Sequence, residues 1–374
     1  MNTNFYRPTW AEVDLSAIEY NFNQIKKCVS RDVKVMSVVK ANAYGHGIVE
    51  VSRALSSAGV DYLGVATMDE AVKLRESKIK EPILVLGSTL PHEAEGAVKY
   101  GITLTACNDE LLRELNKAAE KKKKKASVHL KVDTGMGRIG IWHDEALHFI
   151  KWIMGHKNLF LEGIYTHFSS AGRDEFFTNY QLESFEKLLG QFEREGINIP
   201  LRHAANSIAT IDVKRSHLNM VRPGIIIYGM YPKKNFAKFF KLKPALSLKT
   251  KIVYIKDVPQ GRSISYGRTY ITEKDTRIAT LPIGYADGYE RILSNKAFVL
   301  VNGRRAKVIG KVTMDQVMID VGHLKNVKLG DEVVLIGKQG RDRITTEELA
   351  KLSGTIPYEI ACSIGSRVPR IYVR

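Results

Sequence analysis

Between residues 33 and 230 the chain alternates with a steady rhythm. Short apolar, β-branched runs are each followed by a stretch with helical spacing. The runs are 33–40, 62–66, 83–87, 104–107, 128–133, 160–167, 201–205 and a weaker one at about 218–222. Helical stretches come after them, from Ile48, Asp69, Pro91, Asp109 and His143, with a long one at 176–192 and a short apolar one at 225–230. Eight strand–helix units over about 220 residues match the count and length of a (β/α)8 TIM barrel, an α/β fold. A doubly wound sheet is the competing α/β solution. It would lean on a GxGxxG turn after the first strand, and 41–47 lacks that spacing.

After about residue 240 the pattern changes to short apolar runs separated by turn residues. Asn302-Gly303 between two such runs predicts a tight hairpin. The expected layout is a barrel domain over 12–240 and a mostly-β domain built from 1–11 plus 241–374. No run reaches the ~18 apolar residues of a membrane span. Cys28, Cys107 and Cys362 are far apart and unpatterned, so no disulfide framework and no metal site are expected, and the protein reads as cytoplasmic. The net charge of +17 raises the question of nucleic acid or an anionic membrane. The densest basic run, Lys121 to Lys125, ends a helical stretch and has no interleaved aromatics. It reads as a solvated face, with neither nucleic acid nor membrane as partner.

In a barrel of this kind the chemistry sits at the carboxyl ends of the strands. The first run ends at Lys40. A partly desolvated lysine amine can form a Schiff base, although a strand-end lysine snorkelling to water is an equal reading of this stretch alone. The fifth is followed by Asp133-Thr134-Gly135-Met136-Gly137-Arg138, and the sixth ends in Thr166-His167. The seventh leads into His203-Ala204-Ala205-Asn206-Ser207, and the eighth into Arg222-Pro223-Gly224-Ile225. Singly these are a loop cap, a core histidine and a helix cap; together they outline a site. Pro223-Gly224 opening a short apolar stretch looks like an anion-binding helix start, and Ser207 adds a hydroxyl. A phosphate near strands seven and eight with a lysine at strand one points to pyridoxal 5'-phosphate held by Lys40.

The motifs VVKANAYGHG (38–47), DTGMGRIG (133–140), HAANS (203–207), VRPGI (221–225), SYG (265–267), PIGYADG (282–288), MDQ (314–316) and RVPR (367–370) run in order along nearly the whole chain. In these the sequence resembles alanine racemase, a pyridoxal-phosphate family that interconverts L- and D-alanine and supplies D-alanine for peptidoglycan. The resemblance implies that Lys40 and Tyr266 are two bases on opposite faces of the substrate, Lys40 taking the proton of the D-isomer and Tyr266 that of the L-isomer. It implies that Arg222 meets the pyridine nitrogen, with His167 beside it. Tyr44, Ser207, Gly224 and Ile225 would hold the phosphate, Arg138 the phenolic oxygen and the substrate carboxylate, and Met314 the carboxylate through its backbone N–H. Lys131 matches a lysine often carbamylated in the family, and Tyr285 and Arg291 match its entrance corridor. A head-to-tail homodimer with shared sites is implied.

The sequence departs from the family at three places. Ser366 stands where a tyrosine commonly precedes RVPR, Thr313 where cysteine precedes MDQ, and Gly172-Arg173-Asp174 in the corridor loop. A racemase with a broader range that includes serine is therefore the alternative. A decarboxylase of related fold would want an acidic residue at Arg222, and a non-catalytic cofactor carrier would lack the β domain.

Overall fold

The computed structural model describes residues 6–374. The chain divides into two compact units, Ile18–Ala43 with Ile48–Lys243, and Met1–Ala17 with Tyr44–Gly47 and Pro244–Arg374.

In the first unit eight parallel strands pair in sequence order: Lys34–Val38, Tyr62–Val65, Ile83–Val85, Thr103–Ala106, Ala126–Asp133, Leu159–Tyr165, Leu201–His203 and Met220–Val221. The eighth pairs with the first, Met220 opposite Lys34 and Val221 opposite Val35. It is tied to the seventh by Asn219 N–H to Arg202 O (3.3 Å) and Arg222 N–H to Ala205 O (2.9 Å). The sheet thus closes into the expected (β/α)8 barrel. Helices cover its outside and side chains fill its inside, which is why these strands read as apolar runs rather than as alternation. Met36, Tyr62, Leu84, Tyr165, Leu201 and Met220 form a buried interior cluster.

Side-chain caps start several of the helices. Thr67, Asn108 and Asp174 accept N–H bonds at the heads of Met68–Glu76, Asp109–Lys121 and Glu175–Arg194. Asp174, in the loop that departs from the family pattern, is thus a helix cap. Asp109–Lys121 buries Leu111, Leu112, Leu115 and Ala119 and runs out into the exposed Lys122 to Lys125. The stretch expected to be helical from Pro91 is a single tight turn, Pro91–Glu93, leading into Ala94–Tyr100. Among the described residues, no helix is long and apolar enough to cross a membrane, and no disulfide joins the three cysteines.

The second unit is built on a sheet of ten strands. Along its path the order is Tyr254–Val258, Thr276–Leu281, Val317–Asp320, Arg304–Ile309, Phe298–Val301, Glu332–Gln339, Leu246–Lys251, Thr9–Asp14 and Arg370–Val373, with Asp342–Ile344 beside Glu332–Gln339. All pairs are antiparallel except Thr9–Asp14 with Arg370–Val373. The predicted hairpin is present, with Val301 opposite Arg304. Asn302 (φ 52°) and Gly303 (φ 74°) fill the two positions that need positive φ. The N-terminal segment was expected to be extended only to about residue 11. Its strand runs on to Asp14 because Leu246–Lys251 and Arg370–Val373 pair with it on both sides.

Candidate active site

The first barrel strand stops at Val38, two residues before the expected end, and the chain then turns instead of continuing as strand. Ala41, Asn42, Ala43 and Tyr44 all lie in the left-handed helical region, with φ of 52–54°. For residues with a Cβ each such position costs about 1–2 kcal/mol. The turn is held by its neighbours. Ile48 N–H donates to Asn42 Oδ1 (3.0 Å), and Glu70 accepts from Ala66 N–H (2.8 Å) and Asn42 N–H (3.4 Å). Val38 N–H donates to Pro223 O (2.9 Å), which joins this strand end to the Arg222 segment. Lys40 opens the turn and is partly exposed. Strain of this kind, held against the cost, gathers at functional sites.

Arg222 is 4 % exposed. Its Nη1 donates to His203 Nδ1 (2.8 Å), and its Nη2 donates to Thr166 O (2.6 Å) and Ala204 O (3.1 Å) and lies 3.5 Å from His167 Nδ1. The guanidinium sits 5.1 Å from the centre of the Tyr165 ring. Among the described residues no acceptor is bonded to its Nε–H. Burial lowers its pKa to about 10, so it stays a cation at neutral pH. Burial, then Arg222, Lys131, Arg138 and Lys40, hold His167 well below the ordinary imidazole range. These cations therefore converge on one place, and His167 is neutral there. Gly224 N–H donates to Ser207 Oγ (2.8 Å), and a tight turn, Ile225–Tyr228, starts directly after Gly224.

Lys131 lies in the fifth strand and is 2 % exposed, its Nζ donating to Val132 O (2.9 Å). Burial first, then Arg222, lower its pKa to about 7. Downstream, the Asp133 carboxylate gathers the N–H groups of Gly135, Met136 and Gly137 at 2.8 Å and of Arg138 at 3.3 Å. Burial pushes Asp133 up, but these bonds outweigh it and hold the carboxyl below its ordinary value. The loop is thereby fixed, and Arg138 is presented at its exposed end.

The remaining expected residues, Tyr44, Tyr266 and Met314, belong to the second unit. Tyr44 is buried with its ring 6.1 Å from that of Tyr358. Tyr266 sits at the tip of the Ser263–Ile264 and Tyr270–Ile271 hairpin and is 72 % exposed. Its approach is set by Ser265 (φ 65°), whose Oγ donates to Lys311 O (2.7 Å). Met314 is also exposed. Its loop is fixed by Thr313, whose Oγ accepts from Gln316 N–H (3.1 Å) and donates to Gln316 O (2.9 Å). A Cβ at Gly284 would stand 2.2 Å from Thr313 O, so only glycine allows this close backbone packing. Ser366 is exposed.

The donor set of the barrel rim fits pyridoxal phosphate. It offers an amine at Lys40, the Ser207 hydroxyl beside the start of the Gly224–Ile225 turn, and a buried arginine whose Nε–H has no acceptor bonded to it among the described residues. The sequence reading missed His129 and Glu162 and gave His203 no role of its own; the three stand behind Arg222. The available signal was a charged or imidazole side chain inside otherwise apolar barrel strands.

Comparison with known proteins agrees with this geometry. The family model for the alanine racemase N-terminal domain matches residues 13–232, and that for the C-terminal domain matches 245–372. An alanine racemase of Halothermothrix orenii is 49% identical over 373 residues, covering 100% of this chain and 98% of that protein. One of Methanococcus maripaludis is 47% identical over 369 residues, covering 98% of this chain and 99% of that protein. The solved alanine racemase of Clostridium difficile 630 superposes with a TM-score of 0.94 at 40% identity, covering 99% of this chain and 97% of that one. That of Bacillus anthracis, with bound L-Ala-P, gives 0.93 at 43%, covering 100% and 96%. Matched in both units and along its whole length, the chain belongs to the alanine racemase family.

Proposed function

We propose that the protein interconverts L- and D-alanine with pyridoxal phosphate as cofactor, supplying D-alanine for peptidoglycan in the cytoplasm. The observation that carries this reading is the pairing of Lys40 with Arg222. They lie just after the first and eighth strands, which are hydrogen-bonded neighbours, in a chain of this family.

Lys40 would hold the cofactor through its amine, Ser207, Gly224, Ile225 and Tyr44 its phosphate, and Arg222 its ring nitrogen. When bound, the cofactor supplies an electron sink that acidifies the substrate's Cα–H. Arg222 remains charged and disfavours a proton on the ring, which limits that sink and favours return of the proton to Cα. Lys40 and Tyr266 act as the two bases, one removing a proton from one face and the other returning one on the opposite face, so the substrate need not turn over. Arg138 and the Met314 N–H orient the substrate carboxylate. Lys131, with its lowered pKa, is an amine able to take up CO2 as a carbamate and so give Arg138 an anionic partner.

We assign cofactor binding to the 12–240 barrel domain, with Tyr266 and Met314 contributed by the domain of residues 1–11 plus 241–374. The exposure of both side chains supports a homodimer in which each serves the site of a second copy. The test is incubation with pyridoxal phosphate and L-alanine, or L-serine, with D-isomers counted by chiral chromatography. D-alanine alone supports the reading. Comparable D-serine moves it to the broader racemase that Ser366 allows, and neither product refutes it.

A further inference from the structure

Behind Arg222 a ladder of side chains crosses the barrel interior, buried at its two histidines and partly exposed at its far end, Glu162. Arg222 Nη1 donates to His203 Nδ1 (2.8 Å), His203 Nε2 lies 2.8 Å from His129 Nδ1, and His129 Nε2 lies 3.3 Å from Glu162 Oε2. The same carboxylate oxygen accepts from Tyr62 Oη (2.9 Å) and Thr103 Oγ1 (3.3 Å). Both imidazoles are fully buried, and the His203 ring stacks on Tyr165 with centroids 4.9 Å apart.

The ends of the ladder determine its middle. A guanidinium can only donate, so His203 Nδ1 carries no proton. An ionised carboxylate can only accept, so His129 Nε2 carries one. Burial pushes Glu162 up, but the bonds from His129, Tyr62 and Thr103 outweigh it and keep the carboxyl below its ordinary value. Burial lowers both histidines, so each holds one proton. Hence His203 is protonated on Nε2 and donates to the bare Nδ1 of His129. This is the one arrangement of neutral rings that satisfies all three bonds. Reversing either ring sets donor against donor or acceptor against acceptor.

We propose that Glu162 is a positioning residue for Arg222: by accepting from His129 Nε2–H it completes the one proton arrangement in which every bond of the ladder is made, and so holds both imidazole rings, and the guanidinium bonded to them, in place. The inference rests on the reading that Arg222 meets the cofactor's ring nitrogen. With both terminal nitrogens pinned, by His203 on one side and by Thr166 O and Ala204 O on the other, the guanidinium plane cannot rotate, and the Nε–H stays the free donor. Without an acceptor at position 162 the His129 Nε2–H loses its partner, and moving the protons along the ladder cannot repair this without setting a His203 N–H against the Arg222 N–H, so no single arrangement leaves every bond made.

The experiment compares wild type, Glu162→Leu and Glu162→Gln, each with and without pyridoxal phosphate. Histidine ring tautomers are read by 15N NMR, and kcat and KM for alanine are measured alongside. The expected result is Nε2–H at both His129 and His203 in wild type and in Glu162→Gln, which retains an acceptor oxygen. Glu162→Leu should lose this single pattern, with a second tautomer or ring exchange at His129 and His203, and lower kcat by about tenfold or more, with KM within about threefold; Glu162→Gln should stay within about threefold in both. A wild-type His203 protonated on Nδ1, or charged, overturns the proposal even if Glu162→Leu fails to fold. So does a folded Glu162→Leu with wild-type tautomers and kcat. If the wild type makes no D-alanine, the functional reading fails, and the tautomers still decide whether Glu162 sets the ladder.

Discussion

Replacing Lys131 by methionine should remove a pH dependence from the protein's stability and raise that stability near pH 7. The amine has an ordinary pKa of 10.5 and one of about 7 in the folded chain, lowered by burial and by Arg222. Between those values the unfolded chain binds a proton that the folded chain does not, so stability rises with pH by up to about 1.4 kcal/mol per unit. Over the full window the lysine's contribution reaches about 4–5 kcal/mol, an upper figure because structural relaxation and water reduce it. The favourable state is therefore present above pH 10.5 and lost as pH falls through 10.5 towards 7; below 7 the penalty is constant. Urea unfolding of wild type and Lys131→Met, in CO2-free buffer from pH 6 to 10, reads the slope directly. The variant should lack the rise and should be the more stable protein near pH 7. In bicarbonate buffer near pH 8, carbamate formation releases a proton, leaves an anion beside Arg138 and Arg222, and should stabilise the wild type alone. Parallel pH curves for the two proteins, in both buffers, would refute the reasoning.

Lys40→Ala should abolish covalent attachment of pyridoxal phosphate, seen as loss of the cofactor mass after borohydride reduction, while the fold survives. Tyr266→Phe should keep the cofactor attached, lower racemisation equally in both directions, and slow Cα–H exchange of L-alanine far more than that of D-alanine, measured by deuterium wash-in from D2O with each isomer. Met314→Leu should leave kcat and KM within about twofold, because only the backbone N–H is assigned a role. Asp133→Ala strips four N–H groups of their acceptor and should cost about 2–3 kcal/mol by chemical denaturation, with a raised KM as Arg138 loses its support.

The barrel was legible because parallel strands buried on both faces must be written as apolar runs, and the helices between them carry their own caps, such as Asn108 and Asp174. The carboxyl-end residues Lys40, His167, Ser207 and Arg222 were legible for the same reason, since the end of each run marks the rim. The left-handed turn at 41–44 was not, because Ala41, Ala43 and Tyr44 have no local preference for positive φ and only tertiary contacts hold them there. Tyr266 was invisible to pattern alone. It sits in a two-residue strand hairpin whose form depends on Ser265 and the packing of Gly310, whose Cβ would stand 2.7 Å from Ile264 O. Glu162 and His129 escaped because their partners lie on other strands, and a sequence does not show which interior residues share a level in the barrel.

The left-handed turn after the first strand also decides how this part of the chain can move. An L-residue that leaves this small basin has no neighbouring low-energy conformation; the next basins lie across a barrier and reverse the course of the backbone. The segment therefore behaves as a latch rather than a spring: it resists small displacements, and any large one amounts to local unfolding. Its ordering is completed when the protein folds, so in the role proposed for Lys40 its amine is carried on backbone that need not be immobilised again at each turnover. Glycine at Ala41 or Ala43 would relieve the conformational cost and, by the same act, widen the range over which that amine wanders.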